Sequence, residues 1–355
     1  MVEVEIWEAT MNIRENILED LKKVAPKRRI KLTSELDFDY AEKTLTITIH
    51  GKGVGYGYSD SNGKVKFLNM QDDGAAFEGW AIILRTYWNI NEQYRVKLAV
   101  DRDLPDVYDV FINGQPPEDF SSGHYGRFLY RAYKFREEFD WFELDEGIDH
   151  AVKMYMNLIT SKEMETTNHL QEDEAGLNSH KEIRVEKAFS DHPDELANLT
   201  EGRISGGVNR QLYVWLESGS GEYQFLTCGR SALDLWNISN SMLNIFELKA
   251  GKNIGVGIIS ELFFYAEYCS DFYGSNTKFK IRKPVRNVRG NLDLYESQVS
   301  GEIYGVEAYF LADEFHPLVN KDTVNELNTN RKQIKYILLG EYNLEKMLSF
   351  TEAEG

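Results

Sequence analysis

The sequence has little cysteine and no long apolar run. Only two cysteines, Cys228 and Cys269, occur among 355 residues, and neither belongs to a CxxC spacing. This argues against a disulfide framework and a structural zinc site. No apolar run reaches the roughly 18 residues that cross a bilayer, and the first ten residues lack the basic and apolar segments of a signal peptide. We therefore expect a cytoplasmic protein with no membrane partner.

Basic residues are also in deficit, since 40 Lys and Arg stand against 58 Asp and Glu and give a formal charge of −18. Such a chain repels polyanions at a distance and binds nucleic acid weakly without specificity. One segment, 277–290, runs against the average because it carries six basic residues and no acid: Lys278, Lys280, Arg282, Lys283, Arg286 and Arg289. Its alternation with apolar residues predicts a strand, which suits either phosphate contacts or a solvated edge strand protected by lysines.

Several common catalytic patterns are missing. The seven histidines are scattered without HxH or HExxH spacing, and no GxSxG element occurs. The four glycines between Gly51 and Gly57 do not follow a phosphate-loop spacing. A histidine-anchored metal site, a serine hydrolase and a nucleotide-binding loop are therefore all disfavoured.

The composition is that of a folded protein with two domains. Apolar residues make up 42% of the chain and aromatic residues 13%, and a length of 355 residues can support two cores. The polar, acidic stretch 161–180 marks the boundary. We expect residues 1–165 to form an α+β domain for recognition, regulation or partner docking. Its predicted helices are 10–25, 75–88 and 149–159; its predicted strands are 35–40, 45–50, 94–100, 107–112 and 128–142, with a hairpin turn at 61–63.

The second half contains acids and a lysine at a spacing that suggests chemistry. Residues 242–248 predict a buried strand, and side-chain alternation points Glu247 and Lys249 to one face of it. Asp234 precedes Glu247 by thirteen residues. Two carboxylates can hold a hard divalent cation, and an ammonium can orient water or stabilise phosphate charge. The alternative is a solvated face, which the apolar surroundings of Glu247 and Lys249 disfavour because buried unpaired charge is costly.

This pattern resembles the PD-(D/E)xK nuclease superfamily. Asp234 matches the first acid, with Leu233 where the family name has proline, and Glu247, Leu248 and Lys249 match the (D/E)xK element. Helix, strand and helix signals around them extend the resemblance over residues 178–340. It implies that residues 166–355 form an α/β restriction-endonuclease-like domain, with a mixed central sheet flanked by helices.

The resemblance also implies a function and roles for the residues. It implies a metal-dependent endonuclease, acting most often on DNA, in prokaryotic restriction or anti-phage defence. Asp234, Glu247 and the carbonyl of Leu248 would hold Mg²⁺, with Mn²⁺ as a substitute. Glu186 would bind a second metal or position water, and Lys249 would polarise the water or the scissile phosphate. The expected nucleic-acid contacts are Arg230, Lys278, Lys280, Arg282, Lys283 and Arg286.

Two other functions stay open at this point. The chain could be a catalytically silent nuclease-like scaffold in a defence or repair complex, or an acidic mimic of DNA, although the basic segment 277–290 argues against the mimic. The acidic balance leads us to expect that an active enzyme depends on a protein partner, an activating ligand or homo-oligomer formation.

Overall fold

The computed structural model divides the chain into two units. The first comprises Met1–Ser161, Gly255–Ser260 and His316–Leu327, and the second comprises Lys162–Ile254, Glu261–Phe315 and Asn328–Gly355. The structure describes residues 2–28, 30–88, 93–161, 164–165, 181–214, 216–218, 224–226, 231–251, 255–275, 277–279, 281, 283–284, 287–329, 331 and 333–352. Its fold is mixed α/β, with several sheets and both parallel and antiparallel strands, in agreement with the predicted α+β class.

The elements of the described residues follow in chain order. The helices are α1 (Val2–Val24), α2 (Phe77–Tyr87), α3 (Val107–Phe111), α4 (Ser122–Glu138), α5 (Glu146–Ser161), α6 (Lys181–Asp191), α7 (Pro193–Leu199), α8 (Gly257–Tyr273), α9 (Asn291–Val299), α10 (Lys321–Leu327) and α11 (Leu344–Glu352). The strands are β1 (Leu36–Ala41), β2 (Thr44–Ile49), β3 (Tyr58–Ser59), β4 (Val65–Lys66), β5 (Arg95–Val100), β6 (Phe142–Leu144), β7 (Met164–Glu165), β8 (Asn209–Tyr213), β9 (Leu216–Ser218), β10 (Gln224–Leu226), β11 (Ala232–Ser239), β12 (Met242–Lys249), β13 (Gly305–Ala312) and β14 (Ile334–Leu338). None of these helices is long and apolar enough to span a membrane.

The first unit is built on a four-stranded sheet in the order β1-β2-β5-β6. Strands β1 and β2 form an antiparallel hairpin, and β2, β5 and β6 run parallel. The hairpin turn consists of Glu42 and Lys43, which both have positive φ, as a two-residue turn between twisted strands requires. Alternation along β1 buries Leu36 and Phe38 while Asp37 and Asp39 stay exposed.

Two predicted strands of the first unit are wrong. Residues 107–112 form the short helix α3, where the side chain of Asp106 caps the amides of Tyr108 and Asp109. Most of 128–142 belongs to α4, which begins after the capping residue Ser121. Helix α4 is buried on most of its faces, so its apolar residues lack the one-sided 3.6-residue period that identifies a surface helix. The predicted helices at 10–25, 75–88 and 149–159 are confirmed, the first as part of the longer α1.

The second unit is built on a five-stranded mixed sheet in the order β14-β13-β12-β11-β8. Strands β8, β11 and β12 are antiparallel neighbours, and β12, β13 and β14 are parallel. Helices α6 and α11 contribute to one apolar core with three of these strands, whose shared members include Val185, Phe189, Leu235, Phe246, Leu248, Tyr309 and Met347. Strand β9 pairs antiparallel with both β10 and β7 in a separate small sheet. The basic strand predicted from residue 277 is wrong for the described residues 277–279, which lie outside every strand.

The first unit contains a buried ion pair, and it yields a test of the fold. The Arg131 guanidinium donates from Nε to Glu78 Oε1 at 2.7 Å, from a second nitrogen to Glu78 Oε2, and to the carbonyl of Ala75 at 2.8 Å. Glu78 is 0% exposed and Arg131 2%. Breaking such a pair leaves an uncompensated buried charge, whereas replacing both partners by apolar residues does not.

We expect Glu78→Leu to lower the free energy of unfolding by about 3–5 kcal/mol. The double variant Glu78→Leu/Arg131→Met should recover most of that loss, because neither residue then carries a buried charge. Urea unfolding followed by circular dichroism measures both. The exposed pair Lys346–Glu195 serves as the control, since Lys346→Met should cost less than about 1 kcal/mol. A double variant as unstable as the single one would contradict the prediction.

Candidate active site

The hairpin of β11 and β12 brings Asp234 and Glu247 to neighbouring strands. Its register pairs Leu235 with Phe246, so one step further along the strands Asp234 lies opposite Glu247. The turn between the strands is made by Asn240 and Ser241, which both have positive φ. The carboxylate of Asp234 also accepts a hydrogen bond from the backbone N of Leu248 at 2.7 Å. The two acids of the sequence prediction are thus held by one hairpin.

Lys249 lies between two buried carboxylates. Its Nζ is 2.6 Å from Glu247 Oε1, as expected for two residues that share a face of β12. The same Nζ is 2.8 Å from Oε2 of Glu261, in the second turn of α8. Glu247, Lys249 and Glu261 are only 2%, 7% and 7% exposed. The alternative of a solvated Glu–Lys face therefore does not describe these residues.

Helix α6 supplies the fourth predicted residue, Glu186, from a different element. Its side chain is 3% exposed, and its Oε2 accepts a hydrogen bond from Gln211 Nε2, on β8, at 3.1 Å. Glu182 precedes it by one helical turn, and its Oε1 is buried without a hydrogen-bond partner among the described residues. Glu186 lies near enough to Asp234 for the two charges to interact.

Burial, together with the charges of neighbouring acids, makes ionisation of these acids unfavourable. Burial, followed by the charge of Asp234, raises the pKa of Glu186 to about 8. Burial raises the pKa of Asp234 to about 7, although Lys249 and the Leu248 amide oppose that rise. Burial and the charges of Asp234 and Glu261 raise the pKa of Glu247 well above its ordinary value. The site therefore holds more carboxyl groups than Lys249 alone could balance if all of them were ionised.

The pKa of Lys249 is also raised, and for an ammonium this favours the charged form. Burial lowers the pKa of its ammonium, but Glu247, Glu261 and Asp234 together raise it, and the net pKa lies well above the ordinary value. Lys249 is therefore a cation at neutral pH, and it donates protons in hydrogen bonds rather than acting as a base. Its backbone carbonyl accepts a hydrogen bond from the Tyr342 hydroxyl at 2.9 Å, which helps fix the end of β12.

The predicted nucleic-acid contacts are not brought to this site by any described interaction. Lys278 follows α8, where its Nζ is 3.9 Å from Asp271 Oδ1, and Lys283 is exposed. The others lie outside the described residues: Arg230, Lys280, Arg282 and Arg286. A continuous basic surface beside the acids therefore stays a prediction.

Two residues of the site were missed by the reasoning from sequence. Glu261 is an acid inside the apolar run of α8, and that burial of a charge in an otherwise apolar helix is the signal that could have identified it. Gln211 gives no such signal, because a glutamine on a short strand is ordinary. Only the packing of α6 against β8 shows that it contacts Glu186.

The carboxylate oxygens of these acids are ligands of the kind that a hard divalent cation binds. Such cations prefer carboxylate oxygens, and Glu247 Oε2 is buried without a hydrogen-bond partner in the part of the chain that the structure describes. Within that same part, no group of three or more His, Cys, Asp or Glu side chains is arranged to hold a metal ion. The Lys249 ammonium contacts both Glu247 and Glu261.

A different concave feature lies in the first unit. A pocket of about 620 Å³ is found at the carboxyl ends of the parallel strands β5 and β6. Three of its four acids have partners in the fold: Asp101 accepts from the Gly51 amide and pairs with Arg102, and Asp106 and Asp145 cap the first turns of α3 and α5. These three acids therefore stabilise local structure.

Comparison with known proteins adds no relative. No protein-family model, no curated protein and no solved structure matches this chain.

The raised pKa values predict how stability depends on pH. Folding shifts the pKa of Asp234 from 3.8 to about 7 and that of Glu186 from 4.5 to about 8. The folded protein then binds more protons than the unfolded chain between these values, so stability falls as pH rises through this window. We expect a loss of several kcal/mol, at most about 7 kcal/mol, between pH 5 and 8.5 in EDTA, because a tenfold change in an ionisation constant is worth about 1.4 kcal/mol.

Asp234→Asn and Glu186→Gln should each flatten that pH dependence and be more stable than the wild type at pH 8.5. Thermal unfolding at a series of pH values measures the effect. The exposed residues Asp39 and Glu345 supply matched controls, Asp39→Asn and Glu345→Gln, which should follow the wild-type curve. A wild-type protein that gains stability between pH 5 and 8.5 would show that these carboxyls are ionised without cost.

Proposed function

We propose that this chain is a metal-dependent nuclease that hydrolyses phosphodiester bonds, with DNA as its substrate. The observation that carries the proposal is the buried group formed by Asp234, Glu247 and Lys249 on one hairpin, joined by Glu186 from α6. Its acids have raised pKa values and one carboxylate oxygen lacks a partner among the described residues. Such perturbed groups concentrate at functional sites more often than in ordinary surface ion pairs.

The order of the elements also supports the proposal. Helix α6 is followed by the antiparallel strands β8, β11 and β12, then by helix α8 and the parallel strand β13. This is the helix–strands–helix–strand order on which the resemblance to PD-(D/E)xK nucleases rests. The restriction-endonuclease-like architecture of residues 166–355, and a role in restriction or anti-phage defence, are part of the proposal.

Each residue has a role that follows from its chemistry. Asp234, Glu247 and the carbonyl of Leu248 would hold Mg²⁺ or Mn²⁺, and Glu186 would hold a second ion or accept a proton from water. A bound cation would activate water and neutralise charge on the phosphate. Lys249, a cation with a strongly raised pKa, would donate hydrogen bonds to the phosphate oxygens as negative charge develops on them. Hydrolysis by water attack requires no covalent intermediate with the protein.

A second candidate function has one observation in its favour. Lys249 is held by Glu247 and Glu261 at the same time, and the described residues contain no ready-made group of metal ligands. A catalytically silent scaffold of a defence or repair complex would keep such a closed ion-pair group. Calorimetry with Mn²⁺ separates the two functions, because only the enzyme should release or absorb heat that Asp234→Ala abolishes.

We expect Asp234→Ala and Lys249→Ala each to reduce nuclease activity by a factor of about 100 or more, since the first removes a proposed metal ligand and the second removes positive charge that would stabilise the phosphate in the transition state. The assay uses plasmid, linear duplex, single-stranded DNA and RNA with Mg²⁺ or Mn²⁺. Asp39→Ala and Lys335→Ala change exposed strand residues and should keep full activity. Cleavage that survives in both site variants would place the chemistry elsewhere. Cleavage of RNA alone would overturn the choice of DNA.

The charge of −18 predicts that the isolated chain is a poor nuclease. Long-range repulsion lowers the rate and strength of association with a polyanion, and the effect weakens as salt screens it. We expect efficient cleavage to need a protein partner, an activating ligand or a homo-oligomer. Rapid cleavage of plain duplex DNA by the monomer at about 150 mM salt, with the molecular mass measured by light scattering, would contradict this.

A further inference from the structure

Glu186 is connected to a short chain of polar side chains in the second unit. Gln211 on β8 donates from Nε2 to Glu186 Oε2 at 3.1 Å. The Oε1 atom of the same amide accepts from Arg289 Nη1 at 2.8 Å. Arg289 also donates to the Tyr213 hydroxyl at 3.0 Å, and its guanidinium lies 5.4 Å from the centre of the Tyr213 ring. Arg289 is thus held by hydrogen bonds to two residues of β8.

The two central members of this chain have unusual backbone conformations. Gln211 has φ of 50° and Arg289 has φ of 52°, in the left-handed region that residues other than glycine rarely adopt. Gln211 lies on β8 opposite Asp234, between the paired residues Leu212 and Arg210. Strained residues persist where their surroundings fix them, and they concentrate at functional sites. Here, two of them are hydrogen-bonded to each other beside the proposed site.

Close packing at the next residue, Gly290, helps to fix the position of Arg289. Gly290 has φ of 79°, and a Cβ atom there would come within 2.7 Å of the Asn209 side chain. The segment that precedes α9 therefore rests on alternate residues of β8: Asn209 faces Gly290, whereas Gln211 and Tyr213 bind Arg289. This contact is built into the unit and differs from a chance approach of two exposed side chains.

The charge of Arg289 determines which way the Gln211 amide points. A guanidinium has only donors, so it binds the amide oxygen and would be repelled by the amide NH₂. The oxygen must face Arg289, and the NH₂ group is thereby directed at Glu186. We propose that Gln211 and Arg289 are positioning residues, which hold the carboxylate of Glu186 in a fixed orientation for its role in the site.

This inference rests on the proposed function, because a fixed orientation of Glu186 is useful only if Glu186 binds a cation or water. Residues that hydrogen-bond to a metal ligand orient it, and their loss commonly weakens metal binding by 10- to 100-fold, an order-of-magnitude range. Gln211 would act directly on Glu186. Arg289 would act only through Gln211.

The first test measures the coupling without metal or substrate. The side-chain amide signal of Gln211 is followed by NMR and assigned by its loss in Gln211→Met. We expect Glu186→Gln to move this signal in the wild-type background and to move it much less in Arg289→Met, where the amide is free to turn. The control background is Arg203→Met, an exposed arginine of the same unit. An equal response with and without Arg289 would overturn the relay.

The second test uses Mn²⁺ binding by calorimetry. We expect Arg289→Met and Gln211→Met each to weaken Mn²⁺ binding by about tenfold, and the double variant to be no weaker than Gln211→Met alone. A simple charge effect has the opposite sign, because removing a cation near the acids would tighten Mn²⁺ binding. Tighter binding by Arg289→Met therefore contradicts the proposal. Gln333→Met, at an exposed position, is the matched control for the glutamine.

The two tests separate failure of the relay from failure of the nuclease proposal. If the wild type binds no Mn²⁺, the metal-dependent function fails, while the NMR cycle still decides whether Arg289 orients Gln211. If Mn²⁺ binds and the NMR response does not depend on Arg289, the relay fails and the nuclease stands. Arg289→Gln replaces Arg289→Met if the latter does not fold, because it also removes the positive charge.

Discussion

The arrangement of the second unit depends on one buried cation, Lys249, and the carboxylates that surround it. Its Nζ contacts Glu247 on its own strand and Glu261 on helix α8, so the ion pair links the sheet to that helix. Removing a carboxylate from water costs several kcal/mol, and this unit buries more carboxylates here than one ammonium can balance. Burial raises the pKa values of Asp234, Glu186 and Glu247, and the charge of Asp234 adds to the rise for the other two.

Such an imbalance is difficult to explain as a device for stability alone. A protein gains more from apolar residues of similar volume than from a buried ionic group, and the core around Leu235, Phe246 and Leu248 shows that this unit packs apolar side chains well. In the proposed nuclease these carboxyl groups would have a purpose, because they would be the ligands of a divalent cation. Their cost in stability would then be the cost of preorganising those ligands.

The predictable part of the structure was set by local patterns. Alternation along β12 placed Glu247 and Lys249 on one face, and the contact between them confirms it. Asp234 could be assigned only by its spacing, yet the register of the hairpin brings it opposite Glu247. Helix α4 was mistaken for a strand because it is buried on most sides, and such a helix lacks the one-sided periodicity on which a sequence prediction depends.

The residues that could not be predicted are those that act across distant parts of the chain. Gln211 and Arg289 are 78 positions apart, and each is ordinary in its local sequence. Their importance arises from tertiary packing, where each takes a backbone conformation that its own sequence does not favour. The same holds for Glu261, which meets Lys249 only after α8 has packed against the sheet. In this unit, the sequence identifies groups that could do chemistry, and the fold determines which neighbours hold them in position.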